Sequence, residues 1–172
     1  FDVQVAIMSL PHVLGQGGNT FADTVPYIKP PQLHSIQLPP SRGRQVRTGL
    51  CWSPGVPLTG VADRSCPLSG LVGLLAIPGV TAFSLQMGER ASDREAEACD
   101  ALLSDVGSKL TDLADLAAAI EQLDLIICVD SATAHTAGAL GKETWVLLPY
   151  AADWRWHSPS EDEDRSTSVW YP

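Results

Sequence analysis

The sequence predicts an α/β fold, a parallel β-sheet with helices on both faces. Four short runs, at 48–52, 80–85, 125–129 and 144–148, are almost continuously apolar, as strands covered on both faces are. Helical patterns separate them, which is the order that crossover connections between parallel strands require. Gly and Pro punctuate the junctions, notably Pro78-Gly79 and Gly141.

At the start, "DVQVAIMSL" alternates weakly and is rich in Val and Ile, which predicts a strand over 3–9. From Pro11 to Arg47 no helical period is visible, and Gly15, Gly17, Gly18, Pro26, Pro30, Pro31, Pro39 and Pro40 interrupt the chain. An irregular stretch of this length is uncommon inside a compact domain. Residues 1–46 are therefore expected to be the end of a preceding domain and a linker, with "HSIQLP" extended, packing poorly on the rest of the chain. The strand in it could pair with a neighbouring chain and make a homo-oligomer. The domain proper is expected over 47–172.

"VRTGLCWS" predicts a short strand that runs into a Gly/Pro-rich loop, 54–65. "CPLSGLVGLLAI" predicts a helix with Pro67 in its first turn, stopped by Pro78-Gly79. After the strand "VTAFSLQM", "SDREAEACDALLSDVG" predicts a second helix: Ser92 and Glu95 have capping-box spacing, Leu102, Leu103 and Val106 share a face, and Gly107 ends it. In "LTDLADLAAAIEQL", Asp112 or Asp115 caps a helix with a stripe of Leu116, Ala119, Ile120 and Leu123. A strand at 125–129, a helix at 132–140, Gly141 as the left-handed stop and a strand at 144–148 come next. "SPSEDEDRSTS" reads as a solvated acidic loop.

Composition narrows the function. The chain has 172 residues, 45% apolar and 18% charged, enough for one domain with a core. Its net charge of −9 argues against general nucleic-acid binding, which needs clustered Lys and Arg. It does not exclude an anionic ligand held by backbone N–H groups. The four cysteines lack Cys-x-x-Cys spacing and the four histidines are scattered, so no metal site is expected. No cofactor is expected either: no Gly-x-Gly-x-x-Gly follows a predicted strand, which leaves a Rossmann-type oxidoreductase a weak reading. Cys51 and Cys128 fall in predicted strands as buried thiols, which suits a reducing, cytoplasmic compartment. No run is long enough for a membrane span, and the start lacks the basic region of a signal peptide. The first residue is Phe1 rather than Met, so a piece of a longer protein is expected.

In parallel sheets, ligands bind at the carboxyl ends of the strands. Asp130 and Ser131 stand at such an end and open a helix, and Ser131, Ala132 and Thr133 bring N–H groups and the positive end of the helix dipole. Small residues there let a diphosphate approach the backbone, and His135 lies one turn on. The simpler reading, that Asp130 or Ser131 caps the helix and His135 is a half-buried core residue, fits the pattern slightly better on its own. Arg64, before the first helix, could neutralise a phosphate or be an ordinary surface residue. Gln86 could read a base or sugar, and Glu89 a ribose hydroxyl pair. Trp154 and Trp156 are expected to pack, with Arg155 exposed between them.

"VDSATAHTAGALGKETWVLLPYAADWRW", together with "CWSPG", "RSCPL", "FSLQMGE" and the final "WYP", resembles bacterial glycosyltransferases of the heptosyltransferase family, which transfer heptose from ADP-heptose to lipopolysaccharide. The subgroup fused to tetratricopeptide repeats is the most similar. The matching blocks run from about Arg47 to Pro172, and "MSLPHVLG" and "VPYIKPP" resemble the end of that family's preceding domain. The resemblance implies one half of a GT-B enzyme, in which two Rossmann-like domains face each other across a cleft. This half would hold a nucleotide-diphospho-sugar donor; the other binds the acceptor and supplies the acidic base. Carried over residue by residue, the family's Asp-Ser/Thr-x-x-x-His block falls on Asp130, Ser131, Ala132 and His135. Its phosphate-contacting basic residue falls on Arg64, and its nucleoside loop on Gln86 and Glu89. Many relatives have Lys where Met87 stands and Thr where Ser131 stands; Met87 loses a charge, whereas Ser131 keeps the hydroxyl. The loop before Arg64 lacks the family's Asn- and His-rich composition, and almost none of the acceptor domain is in the sequence. This chain alone is therefore expected to lack the base and be inactive. The alternative is a non-catalytic, degenerate transferase remnant that serves as a binding or interaction module.

Overall fold

The computed structural model describes residues 4–6, 9–13, 25–30, 36–40, 45–55, 64–150, 152 and 156. Five strands, β1 (Val46–Cys51), β2 (Val80–Ser84), β3 (Leu103–Asp105), β4 (Leu125–Val129) and β5 (Glu143–Leu147), form one sheet in the order β3-β2-β1-β4-β5. Every pairing is parallel: Val46 is opposite Val80, Thr48 opposite Leu125, Ala82 opposite Leu103, and Leu125 opposite Glu143. The chain begins at the centre, builds outward through β2 and β3, then returns to add β4 and β5 on the other side of β1. Between β1 and β4 the order reverses, and in open parallel sheets ligands bind beyond the carboxyl ends of the strands at such a point.

The helices are α1 (Leu10–Val13), α2 (Val72–Leu75), α3 (Asp93–Ala96), α4 (Leu113–Glu121) and α5 (Ala132–Ala139). Alternate strand residues feed two cores. On one face Cys51, Phe83, Ile126 and Cys128 pack with Leu116, Ile120 and Leu123 from the α4 segment and Ala134 and Ala137 of α5. On the other, Leu50, Trp52, Ala82, Leu103 and Ile127 pack with Leu68, Leu71 and Leu75 from the α2 segment. This is the Rossmann-like α/β sheet, with helices on both faces, expected of one half of a GT-B fold.

The four expected strands are present to within a residue or two. Asp112 is the cap of α4, its side chain accepting the Asp115 N–H at 2.9 Å. Gly141 has φ 71° and closes α5 with paired bonds, its own N–H to Gly138 O and the Lys142 N–H to Ala137 O. The expected helices at 66–77 and 92–107 are each reduced to one α-helical turn beside a 3-10 turn. In the second, Ala98 takes φ 51° and the chain turns back at Cys99. Residues 103–105 then pair with β2 as a fifth strand. Leu103 and Val106 are buried as expected, but Leu102 is 59% exposed. Three strand residues are too few to display a period of two, whereas Leu102, Leu103 and Val106 imitate a helical face. Arg94 holds the segment, with its guanidinium on Leu103 O at 3.2 Å and beside Asp100 and Asp105.

The N-terminal region also departs from expectation. Of the strand expected at 3–9, residues 4–6 are exposed and carry no strand, and the Ser9 N–H turns back to Ala6 O before α1. In the described parts of 25–40, Pro26, Tyr27, Ile28 and Lys29 are exposed, as expected, but the stretch is tied to the rest of the fold at two points. Tyr27 and Ile28 both donate backbone N–H groups to Ala139 O at the end of α5. Ile36 and Leu38 enter the α4 core, clamped by the Gln122 side chain, which accepts the Leu38 N–H at 3.1 Å and donates to Ile36 O at 3.0 Å. That clamp spans more than 80 residues of sequence, so no local pattern reveals it. Trp154, Arg155 and the acidic loop lie outside the described residues.

Candidate functional site

The residues that leave β1 and β4 come together at the strand-order reversal. Asp130 follows β4 with 2% of its surface exposed. Its Oδ2 accepts from Arg64 at 2.7 Å, and its Oδ1 is 3.9 Å from His135 Nε2. The expected residues 64, 130 and 135, from two parts of the chain, therefore meet at one point. A buried carboxylate needs a partner to stay charged, and Arg64 supplies it with a strong, charge-assisted bond. Arg64 consequently spends its charge on Asp130 in this state, and the pair is close to neutral.

The first turn of α5 rises beside this pair. Ser131 is its N-cap, but the side chain does not cap it; the hydroxyl donates backward to Val129 O at 3.0 Å. The capping explanation of Ser131 therefore does not hold. The first intrahelical bonds run from the Ala134 and His135 N–H groups to Ser131 O, so the earlier N–H groups, at Ala132 and Thr133, have no partner among the described residues. Thr133 turns its hydroxyl inward to Cys51 Sγ at 3.6 Å, so its side chain is engaged in the core. Ala132 is exposed and presents no bulk. An anion arriving here meets free N–H groups and the positive end of the helix dipole.

His135 sits one turn on, its side chain 33% exposed. One ring face stacks on Trp156, with centroids 5.1 Å apart and planes 20° apart. Trp156 is itself buried in the α4 core, so it packs, as expected, and fixes the imidazole plane. His135 is thus held half-open, between a buried acid and the helix start.

Gln86 and Glu89 lie differently. Gln86 follows β2 and is 1% exposed. Its Oε1 accepts the Trp52 N–H at 3.1 Å and the Ser53 N–H at 2.8 Å, and its Nε2 donates to Met87 O at 2.9 Å. Glu89 is exposed at the start of a 3-10 turn behind Gly88, which has φ 72°. It makes no contact with the Arg64–Asp130–His135 group among the described residues. That turn is tied to the β1 exit through Trp52, whose indole N–H donates to Asp93 at 3.0 Å.

Sequence reasoning missed Trp52, Ser53 and Ser65. The Ser65 hydroxyl meets that of Ser53 at 3.1 Å, and the Cys66 N–H donates to Trp52 O at 2.9 Å, so both ends of the loop after β1 are joined. The only signal in the sequence is a small polar residue directly after a strand ("CWS") and directly before a helix ("RSCP"). The four cysteines are all free thiols. Burial pushes Cys51 and Cys128 up from the ordinary thiol range, so neither is an activated nucleophile. No helix among the described residues is long and apolar enough to cross a membrane.

Residues 84–159 match the family model described as glycosyltransferase family 9 (heptosyltransferase). The match contains Gln86, Glu89, Asp130, Ser131, Ala132, Thr133 and His135 but not Arg64, and it supports glycosyltransferase function. The alternative of a non-catalytic remnant gains nothing from it. No curated protein and no solved structure matches the chain.

Proposed function

From the match to glycosyltransferase family 9 we propose that this chain carries the donor-binding domain of a GT-B glycosyltransferase, and that it grips the diphosphate of a nucleotide sugar at the start of α5. The observation that carries the proposal is the uncapped first turn of α5, open at the strand-order reversal beside a buried Asp130–Arg64 pair and a half-open His135. In glycosyl transfer the bond from the anomeric carbon to the diphosphate breaks, and negative charge collects on the departing nucleoside diphosphate. The N–H groups of Ala132 and Thr133 would stabilise that charge without reorganising, and His135 would add a ring N–H; the Ser131 hydroxyl would have to leave Val129 O to join them. Asp130 would orient His135 and Arg64 rather than meet the phosphate itself. Glu89, on the rim after β2, is the residue we assign to the ribose, and Gln86 belongs to the same nucleoside side of the site.

The finer parts of the reading rest on the resemblance of the quoted blocks. Residues 1–46 would be the end of a preceding domain and its linker, docked on α4 and α5. The acceptor and the acidic base would come from that other domain. Membership of the tetratricopeptide-repeat-fused subgroup, a bacterial source and a cytoplasmic location belong to the same proposal.

Calorimetric titration of the chain with ADP, UDP, GDP and CDP tests the site. One of them should bind, and His135→Phe, which keeps an aromatic face for Trp156, should bind it more weakly. Loss of a hydrogen bond to a charged group is worth roughly 1.5–3 kcal/mol, or about tenfold to hundredfold in affinity. If none binds, or if His135→Phe binds as wild type does, the diphosphate is not held here.

A further inference from the structure

We infer that Gln86 is a positioning residue: it locks the exit of β1, and through that exit it sets where Arg64 meets Asp130. The path is continuous. Gln86 Oε1 holds two consecutive backbone N–H groups, those of Trp52 and Ser53, at 3.1 and 2.8 Å, and the Cys51 thiol stands 3.7 Å from the same oxygen. Trp52 O in turn accepts the Cys66 N–H, and the Ser53 hydroxyl meets that of Ser65. Arg64 is the next residue, and its guanidinium reaches Asp130 at 2.7 Å. One buried oxygen therefore ties the loop that leaves β1 and returns at Ser65.

Gln86 is itself held from behind. Its side-chain N–H donates to Met87 O, and its backbone N–H donates to Ser84 Oγ at 3.3 Å. Gly107 presses on it so closely that a Cβ there would lie 1.9 Å from Gln86 O. A side chain with 1% exposure whose acceptor is already shared by two amides is poorly placed to read a base directly. It is well placed to fix a loop, because two consecutive N–H groups on one acceptor define both the position and the direction of the backbone. The consequence for the donor site is that the charge balance of Asp130 depends on a residue of a different strand.

The functional part of this inference rests on the donor-site reading; its structural part does not. The experiment uses the full chain in a double-variant cycle with Gln86→Met, which keeps length and removes the acceptor, and Arg64→Met. In urea unfolding, the two effects on the unfolding equilibrium should be non-additive by at least tenfold, since each variant disrupts one path. Amide exchange at Trp52 and Ser53 should speed up in Gln86→Met and return toward wild type in Gln86→Glu, which keeps an acceptor oxygen. In titrations with ADP and inorganic pyrophosphate, Gln86→Met should weaken binding, with little further loss when Arg64→Met is added. Should Gln86→Met not fold, Ser65→Ala cuts the same path further along and takes its place in the cycle. Additive unfolding effects and unchanged amide exchange would overturn the positioning role. Additive losses of ADP affinity beside unchanged pyrophosphate affinity would instead make Gln86 a direct contact to the nucleoside. Failure of wild type to bind either probe would remove the donor-site reading while the unfolding cycle still decides the role of Gln86.

Discussion

Replacing Arg64 by Met keeps most of the aliphatic stem and removes the cation that, among the described residues, is in bonding contact with Asp130. The Asp130 side chain is 3% exposed, and its other neighbour, His135 Nε2, is 3.9 Å away, too far for a strong bond. The carboxylate would therefore remain buried and largely uncompensated. Removing one partner of a buried ion pair costs about 3–5 kcal/mol. Arg64 is 23% exposed, so water can enter part of the space it leaves, and the expected cost falls to about 2–4 kcal/mol. The sign of the double variant is the sharper test. Arg64→Met with Asp130→Asn removes the charge as well as its partner, and the neutral amide needs far less solvation. The double variant should consequently be more stable than Arg64→Met alone, by about 1 kcal/mol or more. Urea unfolding near neutral pH, followed by tryptophan fluorescence and circular dichroism, measures all four proteins. A cost for Arg64→Met below about 0.5 kcal/mol, together with a double variant no more stable than the single, would mean that the pair is an exposed surface bridge and that Asp130 is not a buried charge.

Two further outcomes are expected. Gly107→Ala should destabilise by about 3 kcal/mol or more, because its Cβ would meet backbone at 1.9 Å from Gln86 O and the turn must lift off β2, straining the Val106 N–H bond to Ser84 O; a loss below about 1 kcal/mol in urea would show that the close approach is easily relieved. Stability should also fall in alkaline solution. Burial raises Cys51 and Cys128 in the fold, whereas in the unfolded chain thiols ionise near about 8.5, so their contribution is present below that pH and is lost as pH rises above it. Each thiol kept neutral should add about 1.4 kcal/mol per pH unit to the slope. Cys128→Ala should flatten the curve between about pH 8.5 and 10, and an unchanged slope would mean that the thiol is not protected by the fold.

Local pattern was enough for much of this molecule. The runs at 48–52, 80–85 and 125–129 were legible as strands because successive apolar residues such as Ile126 and Ile127 suit a sheet covered on both faces, whereas the run at 144–148 forms the edge strand, with Trp145 54% exposed. The Gly141 stop of α5 was legible because a left-handed glycine is set by a few adjacent residues. Asp130 directly follows a strand and His135 lies at the first turn of the helix after it, so their proximity was also written in the order of the chain. What the tertiary structure alone decided are the meetings across long separations. Gln86 was legible as a polar residue at a strand end, but only the neighbouring strand shows that its oxygen is occupied by Trp52 and Ser53. Leu103 became a strand residue because β2 had an open edge, against a helical spacing that its own segment displays. Ile36 and Leu38 joined the core because Gln122 satisfies their backbone, a bond no composition could announce. Periodicity reports which side of an element is buried; it carries no information on which distant polar group completes a buried hydrogen bond, and at this site those completions set the geometry.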